Sequence, residues 1–355
     1  MLKILFLSTS VGSLGSGEGG GVELTVQNLA REIVTRGHHL EVVAPQGSWL
    51  TDIPVTTIAG KLQVPVQTQA RDVPTCLPEN SVLANMWDYA RQVQNQYDTI
   101  VNFAFDWLPF YLTPFFKIPI AHFISMGSMT DESDRIMSQT IEQYPGTFGV
   151  YTQAQAGTFP FGNRCEILGS AIDLSLYQFN NNPGESFAWL GRIAPEKALE
   201  DAVEAVNRTK TPLKIMGRIQ DEDYWQKIRL DFPNAPIEYL GFLNTERLQQ
   251  ELGKCQALLM TPRWIEAFGN VAIEALACGV PIIAYRRGGP SEIVRDGQTG
   301  FLVEPDNIDE LAGAIAKISA IDRHACRQQA EAEYSLTALG DRFETWFNKL
   351  IPRAG

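Results

Sequence analysis

The chain of 355 residues lacks the features that mark membrane proteins, disulfide-rich proteins and nucleic-acid-binding proteins. No apolar run approaches the roughly 18 residues that a membrane-spanning helix requires. The five cysteines are scattered and never form a C-x-x-C pair, so we expect buried thiols rather than disulfides or a zinc site. A net charge of −12 repels phosphate backbones and anionic lipids. We therefore expect neither nucleic acid nor a membrane as a partner.

The amino-terminal segment also lacks the features of a secretory signal. The opening MLKILFLSTSVG has neither the length nor the cleavage site of such a peptide. We therefore predict a cytoplasmic protein. Enzymes that act on lipids usually show a basic amphipathic face, which this sequence lacks, so we expect a soluble substrate. With 45% hydrophobic and 20% charged residues, the chain has the composition of a globular protein that is long enough for two domains.

Strand and helix patterns alternate along the chain in two successive series. The β-rich run KILFLST is followed by a glycine-rich loop, by VELTVQNLAREIVTRG with helical spacing, and by HHLEVVAP as a second strand. Such a β-α-β unit implies parallel strands joined by a right-handed crossover. After QFNNNPGES, near residue 180, the alternation begins again with FAWLGRI and EKALEDAVEAVNRT.

This alternation predicts an α/β protein with two Rossmann-like, doubly wound domains that face one another across a cleft. We place the amino-terminal domain at residues 1–175 and the carboxy-terminal domain at residues 176–336. Near the end of the chain, DRFETWFNKLIP has the pattern of an amphipathic helix. We expect this helix, at about residues 337–355, to pack back on the first domain.

The motif GRIAPEKALEDAV carries the first candidate binding residues. Arg192 and Lys197 follow a predicted strand and flank the start of a predicted helix. Two cations and the backbone N–H groups of a helix start can share the charge of a pyrophosphate. Taken alone, the same two residues could be surface charges at a helix end.

The motif TPRWIEAFGNVAIEALACGVP places two glutamates around the start of a second predicted helix. Glu266 lies in the loop before this helix and Glu274 lies inside it. Their carboxylates could accept hydrogen bonds from two sugar rings, although a loop charge and a solvated helix residue remain an alternative. Backbone amides at the positive end of the helix would bind an anion. These amides belong to Phe268, Gly269 and Asn270.

Several segments resemble family-four retaining glycosyltransferases of the GT-B fold. GRIAPEK, TPRWIEAFGNVAIEALACGVPIIAY and GGPSEIVRDGQTGFLVEPDNIDELAGAI look like the donor-binding half of that family. GGGVELTVQNLAREIVTRGHHLEVVAP is similar to the first unit of the acceptor-binding half. The resemblance covers most of residues 1–320, although residues 50–95 show little of it. Within the family, the opening and the second motif resemble most the cyanobacterial enzymes that glucosylate tetrahydrobiopterin from UDP-glucose.

The resemblance implies a transferase that moves a hexose with retention from a nucleotide sugar, UDP-glucose, to a soluble acceptor, a reduced pterin. It implies a donor-binding second domain in which Glu266 contacts the sugar as a catalytic residue and Glu274 binds the ribose. Arg192 and Lys197 would bind the diphosphate, and no metal ion or cofactor is expected. In the amino-terminal loop, two residues without side chains would let the backbone approach the diphosphate. They are Gly20 and Gly21.

The segment FAFDWLPFYLTPFF is similar to one that borders the acceptor site in relatives. Asp106 could be the base or hydrogen-bond acceptor for the attacking hydroxyl, or it could cap the following helix. The aromatics of this segment could all be core residues, or some of them, with Phe105 and Trp107 as our candidates, could form a wall that stacks on a flat acceptor. The set is Phe103, Phe105, Trp107, Phe110 and Tyr111. Many relatives have a histidine where this chain has Met126, which we place at the acceptor site. We assign His122 to the core of its strand.

Other functions fit the pattern less well. A nicotinamide enzyme needs an acidic residue at the end of the second strand, where EVVAP supplies Ala44 and Pro45. The DED sequence at Asp221 to Asp223 imitates a metal-binding Asp-x-Asp motif. It begins a predicted helix, however, where acidic residues are favoured by the helix dipole. A non-hydrolysing sugar epimerase shares the predicted fold, and a nucleotide-sugar sensor would bind without turnover. These last two remain as alternatives.

Overall fold

The computed structural model describes residues 1–15 and 20–351, and it divides the chain into two compact units. The first unit contains Met1–Ser170 and the segment from Leu336 onward, and the second unit contains Ala171–Ser335. The sequence placed these divisions at residues 176 and 337. Part of the glycine-rich loop, residues 16–19, lies outside the described residues.

A parallel sheet of seven strands forms the centre of the first unit. Its strands are β1 (Lys3–Leu7), β2 (His39–Pro45), β3 (Val55–Ile58), β4 (Thr99–Asn102), β5 (Ile120–Ile124), β6 (Phe148–Val150) and β7 (Glu166–Ile167). They lie in the order β3-β2-β1-β4-β5-β6-β7. All residues of β4 and β5 are buried, as expected for central strands with both faces covered.

Within the described residues, five helices of the first unit precede the second unit in the chain. They are α1 (Gly21–Thr35), α2 (Val82–Val93), α3 (Trp107–Leu112), α4 (Asp131–Gln143) and α5 (Gln153–Ala156). Side chains cap several of them, because the first N–H groups of a helix have no partner within it. Ser81 accepts a hydrogen bond at the start of α2, and Thr130 does so at the start of α4.

A second parallel sheet, of six strands, forms the centre of the second unit. Its strands are β8 (Phe187–Leu190), β9 (Leu213–Met216), β10 (Ile237–Gly241), β11 (Leu258–Met260), β12 (Ile282–Tyr285) and β13 (Gly300–Val303). The order is β10-β9-β8-β11-β12-β13. The helices of this unit are α6 (Leu199–Thr209), α7 (Glu222–Asp231), α8 (Thr245–Gly253), α9 (Asn270–Ala277), α10 (Pro290–Ile293), α11 (Ile308–Ile315) and α12 (Arg323–Glu333).

Each sheet contains one point at which the direction of winding reverses. In the first unit this point lies between β1 and β4, and in the second it lies between β8 and β11. Ligands of doubly wound sheets bind at the carboxyl ends of the strands at this reversal. The two parallel, doubly wound sheets confirm the predicted α/β fold class of two Rossmann-like units.

The last helix, α13 (Leu336–Leu350), belongs to the first unit. It buries Phe343, Trp346 and Phe347. Arg36, which follows α1, binds two acidic residues of α13 by ion pairs of 2.8 and 2.7 Å, to Asp341 and Glu344. No helix within the described part of the chain is both long and apolar enough to cross a membrane.

The cysteines are free thiols in different surroundings. Cys255, Cys278 and Cys326 are buried, as the sequence predicted. Cys165 is half-buried, and Cys76 is exposed, so the prediction of buried thiols is wrong for Cys76. The reason is that Cys76 lies in a long, mostly exposed segment before α2 rather than in the core.

Candidate functional site

Hydrogen bonds join the loop after β8 to the loop after β11. Oγ1 of Thr261 donates to the carbonyl oxygen of Ala198 at 2.8 Å, and the backbone N–H of Arg263 donates to that of Glu196 at 2.9 Å. These loops leave the carboxyl ends of the two strands at which the second sheet reverses. Their side chains therefore lie where a ligand is expected in a doubly wound sheet.

An ion pair between Lys197 and Glu266 forms the centre of these loops. Oε2 of Glu266 accepts hydrogen bonds from Nζ of Lys197 and, at 3.0 Å, from Nε1 of Trp264. The ammonium group also lies over the Trp264 ring, 4.7 Å from its centroid, where the ring face attracts a cation. The side chains of Lys197 and Glu266 are only 19% and 18% exposed. The two charges are thus held together largely out of water.

The surroundings of Glu266 keep it ionised. Burial alone would raise its pKa, but the charge and hydrogen bond of Lys197 lower it, with smaller effects from Trp264 and from the charge of Arg192. The net result is a pKa below the ordinary glutamate value. At neutral pH the group is a carboxylate, which only accepts hydrogen bonds and is therefore suited to binding hydroxyl groups.

Arg192 places a second cation in the same group of loops. Its guanidinium donates to Oε1 of Glu196 at 3.1 Å and to Oε1 of Gln220. The side chain is 39% exposed, so a solvent-borne anion can reach it. The structure therefore brings together three of the predicted donor-site residues, Arg192, Lys197 and Glu266.

The amino terminus of α9 lies next to Glu266. The residue before the helix, Gly269, has a φ of 95°, and a methyl group on it would lie 3.7 Å from Cγ of Glu266. The predicted anion-binding amides of Phe268, Gly269 and Asn270 are therefore at the start of this helix, as the motif indicated. The positive end of the helix dipole favours negative charge at this place.

Two glycines that the sequence analysis gave no role hold the Glu266 loop. A methyl group on Gly288 would lie 2.6 Å from the backbone N of Glu266, and one on Gly289 would lie 2.3 Å from the carbonyl oxygen of Phe268. The N–H of Gly289 donates to the carbonyl oxygen of Glu266 at 2.7 Å. The backbones are thus in direct contact, with no room for a side chain. The adjacent glycines of the GGP sequence are the signal that could have indicated this contact.

Glu274 has a different environment inside α9. The hydroxyl of Tyr177 donates to Oε1 of Glu274 at 2.9 Å. Burial raises the pKa of Glu274 to about 7, although the hydrogen bond from Tyr177 lowers it in part. Tyr177 lies 97 positions earlier in the chain, and nothing in the local sequence indicated it as a partner.

The first unit contains a cavity of about 490 Å³ at the carboxyl ends of β1 and β4. It therefore lies at the reversal point of the first sheet. The loop after β1, the loop after β4 and residues 62–78 contribute to its wall. The wall includes all the residues that the sequence placed at the acceptor site, namely Phe105, Asp106, Trp107 and Met126.

Asp106 fulfils the capping role that the sequence left open, and it also lines the cavity. Oδ1 accepts the backbone N–H of Leu108 at 3.4 Å as the cap of α3, and Oδ2 accepts Nε2 of Gln63 at 2.8 Å. Burial raises the pKa of Asp106, although these hydrogen bonds and one from the N–H of Trp107 lower it in part. Gln63 is a partner that the sequence analysis missed, because it lies in the part of the chain with little resemblance.

The aromatic residues near Asp106 divide between cavity and core. Trp107 lines the cavity and stacks on Tyr111, with ring centroids 4.6 Å apart and planes 18° from parallel. Phe103 and Phe110 are buried in the core. His122 is also a core residue: it is buried, lies within hydrogen-bond distance of Asn102 and Thr113, and has its pKa lowered to about 3 by burial.

The remaining candidates have local structural explanations. Gly20 precedes α1 with φ 70° and ψ −151°, a backbone conformation that is essentially restricted to glycine, and Gly21 begins the helix. Asp221 caps α7 by accepting the N–H of Tyr224 at 2.9 Å. Among the described residues, no group of three or more His, Cys, Asp and Glu side chains is arranged to hold a metal ion.

Comparisons with known proteins connect the second unit to one family. Residues 178–333 match the family model described as glycosyl transferases group 1. The chain is 29% identical over 238 residues to the D-inositol 3-phosphate glycosyltransferase of Rhodococcus erythropolis, covering 60% of this chain and 52% of that protein. It is 28% identical over 183 residues to the glycogen synthase of Mycobacterium tuberculosis, covering 48% and 44%. The chain thus spans about half the length of these curated relatives.

Solved structures share the fold over the whole chain. HepE of Anabaena, solved in complex with UDP and glucose, has a TM-score of 0.77 at 18% identity and covers 99% of this chain and 100% of its own. The sucrose-phosphate synthase of Thermosynechococcus elongatus has a TM-score of 0.76 at 18% identity, with 99% of each chain covered. At these identities the likeness concerns the fold, and it supports the predicted GT-B architecture.

Replacement of Gly288 should destabilise the protein through the Glu266 loop. Gly288 and Gly297 both have left-handed backbones, but only a methyl group on Gly288 would meet other atoms. We expect Gly297→Ala to cost about 1 kcal/mol for the backbone alone. Gly288→Ala should cost about 1–3 kcal/mol more because its methyl group overlaps the Glu266 backbone. Urea unfolding of both variants measures the difference, and equal losses would contradict the proposed contact.

The raised pKa of Glu274 predicts a pH-dependent effect of Glu274→Gln. Because the folded-state pKa of about 7 exceeds the ordinary 4.5, the folded protein holds the proton more tightly than the unfolded chain. The stabilisation that comes from protonation of this carboxyl is complete below the pKa of the unfolded chain and is lost as the pH rises through 7. At pH 8 we expect Glu274→Gln to be more stable than the wild type by about 1–3 kcal/mol, with a smaller gap at pH 5. Urea titrations at both values test this, and a pH-independent gap would refute it.

Proposed function

We propose that this chain, whose residues 178–333 match the glycosyl transferases group 1 family, is a retaining glycosyltransferase. In this proposal it moves glucose from UDP-glucose to a small soluble acceptor, a reduced pterin, and forms an α-glucoside. The observation that carries the proposal is the Lys197–Glu266 pair beside the start of α9. The solved complexes of HepE with UDP, glucose and UDP-glucose support the choice of donor.

The second unit offers a complementary group for each part of such a donor. Arg192 and Lys197 supply positive charge for the diphosphate, together with the first amides of α9. The ammonium of Lys197 has three N–H donors, so it can hold Glu266 and a phosphate oxygen at the same time. The ionised Glu266 would accept hydroxyl hydrogen bonds from the sugar, and Glu274 would accept those of the ribose.

The proposed reaction exchanges one bond at the anomeric carbon of the sugar. The acceptor hydroxyl oxygen attacks this carbon on the face from which the diphosphate leaves, so the configuration is retained. The electron pair of the broken carbon–oxygen bond departs with the diphosphate, where Arg192, Lys197 and the helix amides stabilise the developing charge. We assign the hydroxyl proton to Asp106. The proposal needs no cofactor and no metal ion, since these groups supply the positive charge.

The cavity of the first unit supports a small, flat acceptor. Its volume of about 490 Å³ lies within the usual range for small-molecule sites. Phe105 and Trp107 provide aromatic surface, and Asp106 provides a hydrogen-bond acceptor beside it. A reduced pterin has a flat ring and hydroxyl groups that suit such a wall. Sugar, lipid and polysaccharide acceptors, sugar epimerisation and binding without turnover are the alternatives.

Incubation with UDP-glucose and tetrahydrobiopterin tests the proposed reaction. We expect release of UDP and formation of a pterin glucoside whose anomeric proton shows the small coupling of an α-linkage in NMR spectra. The control contains UDP-glucose alone. Glucosylation of sugars with the pterin untouched would refute the acceptor, an epimerised nucleotide sugar would favour the epimerase, and binding without UDP release would favour the sensor.

Replacement of Lys197 should separate catalysis from stability. Lys197 and Lys214 each form a largely buried ion pair, the first with Glu266 and the second with Glu251. We expect Lys197→Met to lower kcat about 100-fold or more, because the leaving diphosphate loses a cation. Lys214→Met is the matched control, and its kcat should stay near the wild-type value. Steady-state kinetics and thermal unfolding of both variants measure the two effects, and equal kcat values would exclude the assigned role.

A further inference from the structure

We infer that the cavity of the first unit selects an uncharged, flat acceptor with two neighbouring hydrogen-bond donors, and that Gln63 binds the second donor. The inference rests on the proposed function, because it specifies the acceptor of that same site. Gln63 lies in residues 62–78, where the chain shows little resemblance to other glycosyltransferases. Specificity from this segment would therefore belong to this protein rather than to the family.

The position of Gln63 is determined by contacts at both ends of the residue. Its backbone N–H donates to the carbonyl oxygen of Ser10 at 2.9 Å, and Nε2 of its side chain donates to Oδ2 of Asp106 at 2.8 Å. A carboxylate only accepts hydrogen bonds, so this contact also fixes which end of the amide carries the nitrogen. Gln63 is only 8% exposed although it lines the cavity.

The other end of the amide is an acceptor without a partner. Oε1 of Gln63 is buried and makes no hydrogen bond to any residue in the described ranges 1–15 and 20–351. Buried acceptors are rarely left unsatisfied in proteins, so an unpaired acceptor on a residue that lines a cavity points to a ligand that donates a hydrogen bond there. Asp106 is the second acceptor in the same part of the wall. The pair fits a ligand whose reacting hydroxyl lies next to a further O–H or N–H group.

The charge of the described part of the wall disfavours a phosphorylated acceptor. Among the described residues that line the cavity there is no lysine, arginine or histidine, and Asp106 is the single carboxylate. Arg71 belongs to the same segment, but it is paired with Asp131 at 2.8 Å and Asp134 at 3.0 Å. A phosphate group would therefore meet a carboxylate without a compensating cation. The cavity therefore does not suit D-inositol 3-phosphate, the compound after which the D-inositol 3-phosphate glycosyltransferases are named.

The shape and polarity of the remaining wall favour a flat, apolar body. Four apolar side chains of the segment line the cavity while 37–65% of their surface remains exposed, namely Leu62, Val64, Val73 and Leu77. Exposed apolar side chains gathered around a cavity are typical of ligand-binding surfaces. Trp107 and Phe105 add aromatic rings to the wall, and these rings can stack on a flat ligand.

The test compares two flat ligands that differ by one hydrogen-bond donor. Umbelliferone has one hydroxyl group, and esculetin has a second hydroxyl beside it. We expect the wild type to bind esculetin about five- to ten-fold more tightly by calorimetry, because its extra hydroxyl donates to Gln63. Gln63→Leu should abolish this preference and weaken tetrahydrobiopterin binding about ten-fold, while UDP binding in the second unit stays unchanged.

Two further variants control for packing and for general damage. Gln63→Met keeps the size of the side chain without its amide group, so it should lose the same preference. It replaces Gln63→Leu in the comparison if that variant disturbs the fold. Gln92→Leu removes a chemically similar bond, in which Nε2 of Gln92 donates to Oδ2 of Asp88 at 2.8 Å on the protein surface. This variant should bind both coumarins as the wild type does.

The outcomes separate this inference from the proposed reaction. The inference is overturned if either Gln63 variant prefers esculetin as strongly as the wild type does, or if the wild type binds neither coumarin. It is also overturned if the wild type binds D-inositol 3-phosphate more tightly than tetrahydrobiopterin. If the Gln63-dependent preference is found but no glucose is transferred, the proposed reaction fails and the assigned ligand chemistry of the cavity stands.

Discussion

The ion pair of Lys197 with Glu266 is the interaction on which the candidate donor site depends. Removing one member of a largely buried pair leaves the other charge uncompensated, so the two positions are linked energetically. The pair is built by loops that hold each other: Thr261 binds the loop of Lys197, and Gly289 binds the loop of Glu266. Backbone contacts therefore hold the short loops and the start of α9 together around the two charges.

Both units use the same architectural feature for different chemistry. The sheet reverses between β1 and β4 in one unit and between β8 and β11 in the other, and polar residues follow these strands in each case. In the second unit the loops carry paired charges, which suit a charged ligand. In the first unit the corresponding loops enclose a cavity whose described wall carries a single charged side chain, that of Asp106. The division supports the proposal of a charged donor and a neutral acceptor.

Three carboxyl groups show how surroundings decide the behaviour of identical chemistry. The pKa of Glu266 falls because Lys197 and Trp264 outweigh the effect of burial. The pKa of Glu274 rises to about 7 because the single hydrogen bond from Tyr177 is too weak to offset burial. The pKa of Asp106 also rises, although an amide side chain and the start of a helix stabilise its charge in part. Affinity for the proposed donor should therefore depend on pH through Glu274 more than through Glu266.

The sequence by itself determined the two α/β series and the strands and helices that carry the motifs, because the period of apolar residues and the placement of glycine depend on local backbone geometry. It also placed Arg192, Lys197 and Glu266 in loops after strands, and parallel strands bring such loops together at one edge. Only the tertiary structure decided the partners of the carboxylates. Tyr177 reaches Glu274 across 97 positions, and Gln63 reaches Asp106 across 43. Such contacts depend on how distant segments pack, and packing leaves no periodic trace in either segment.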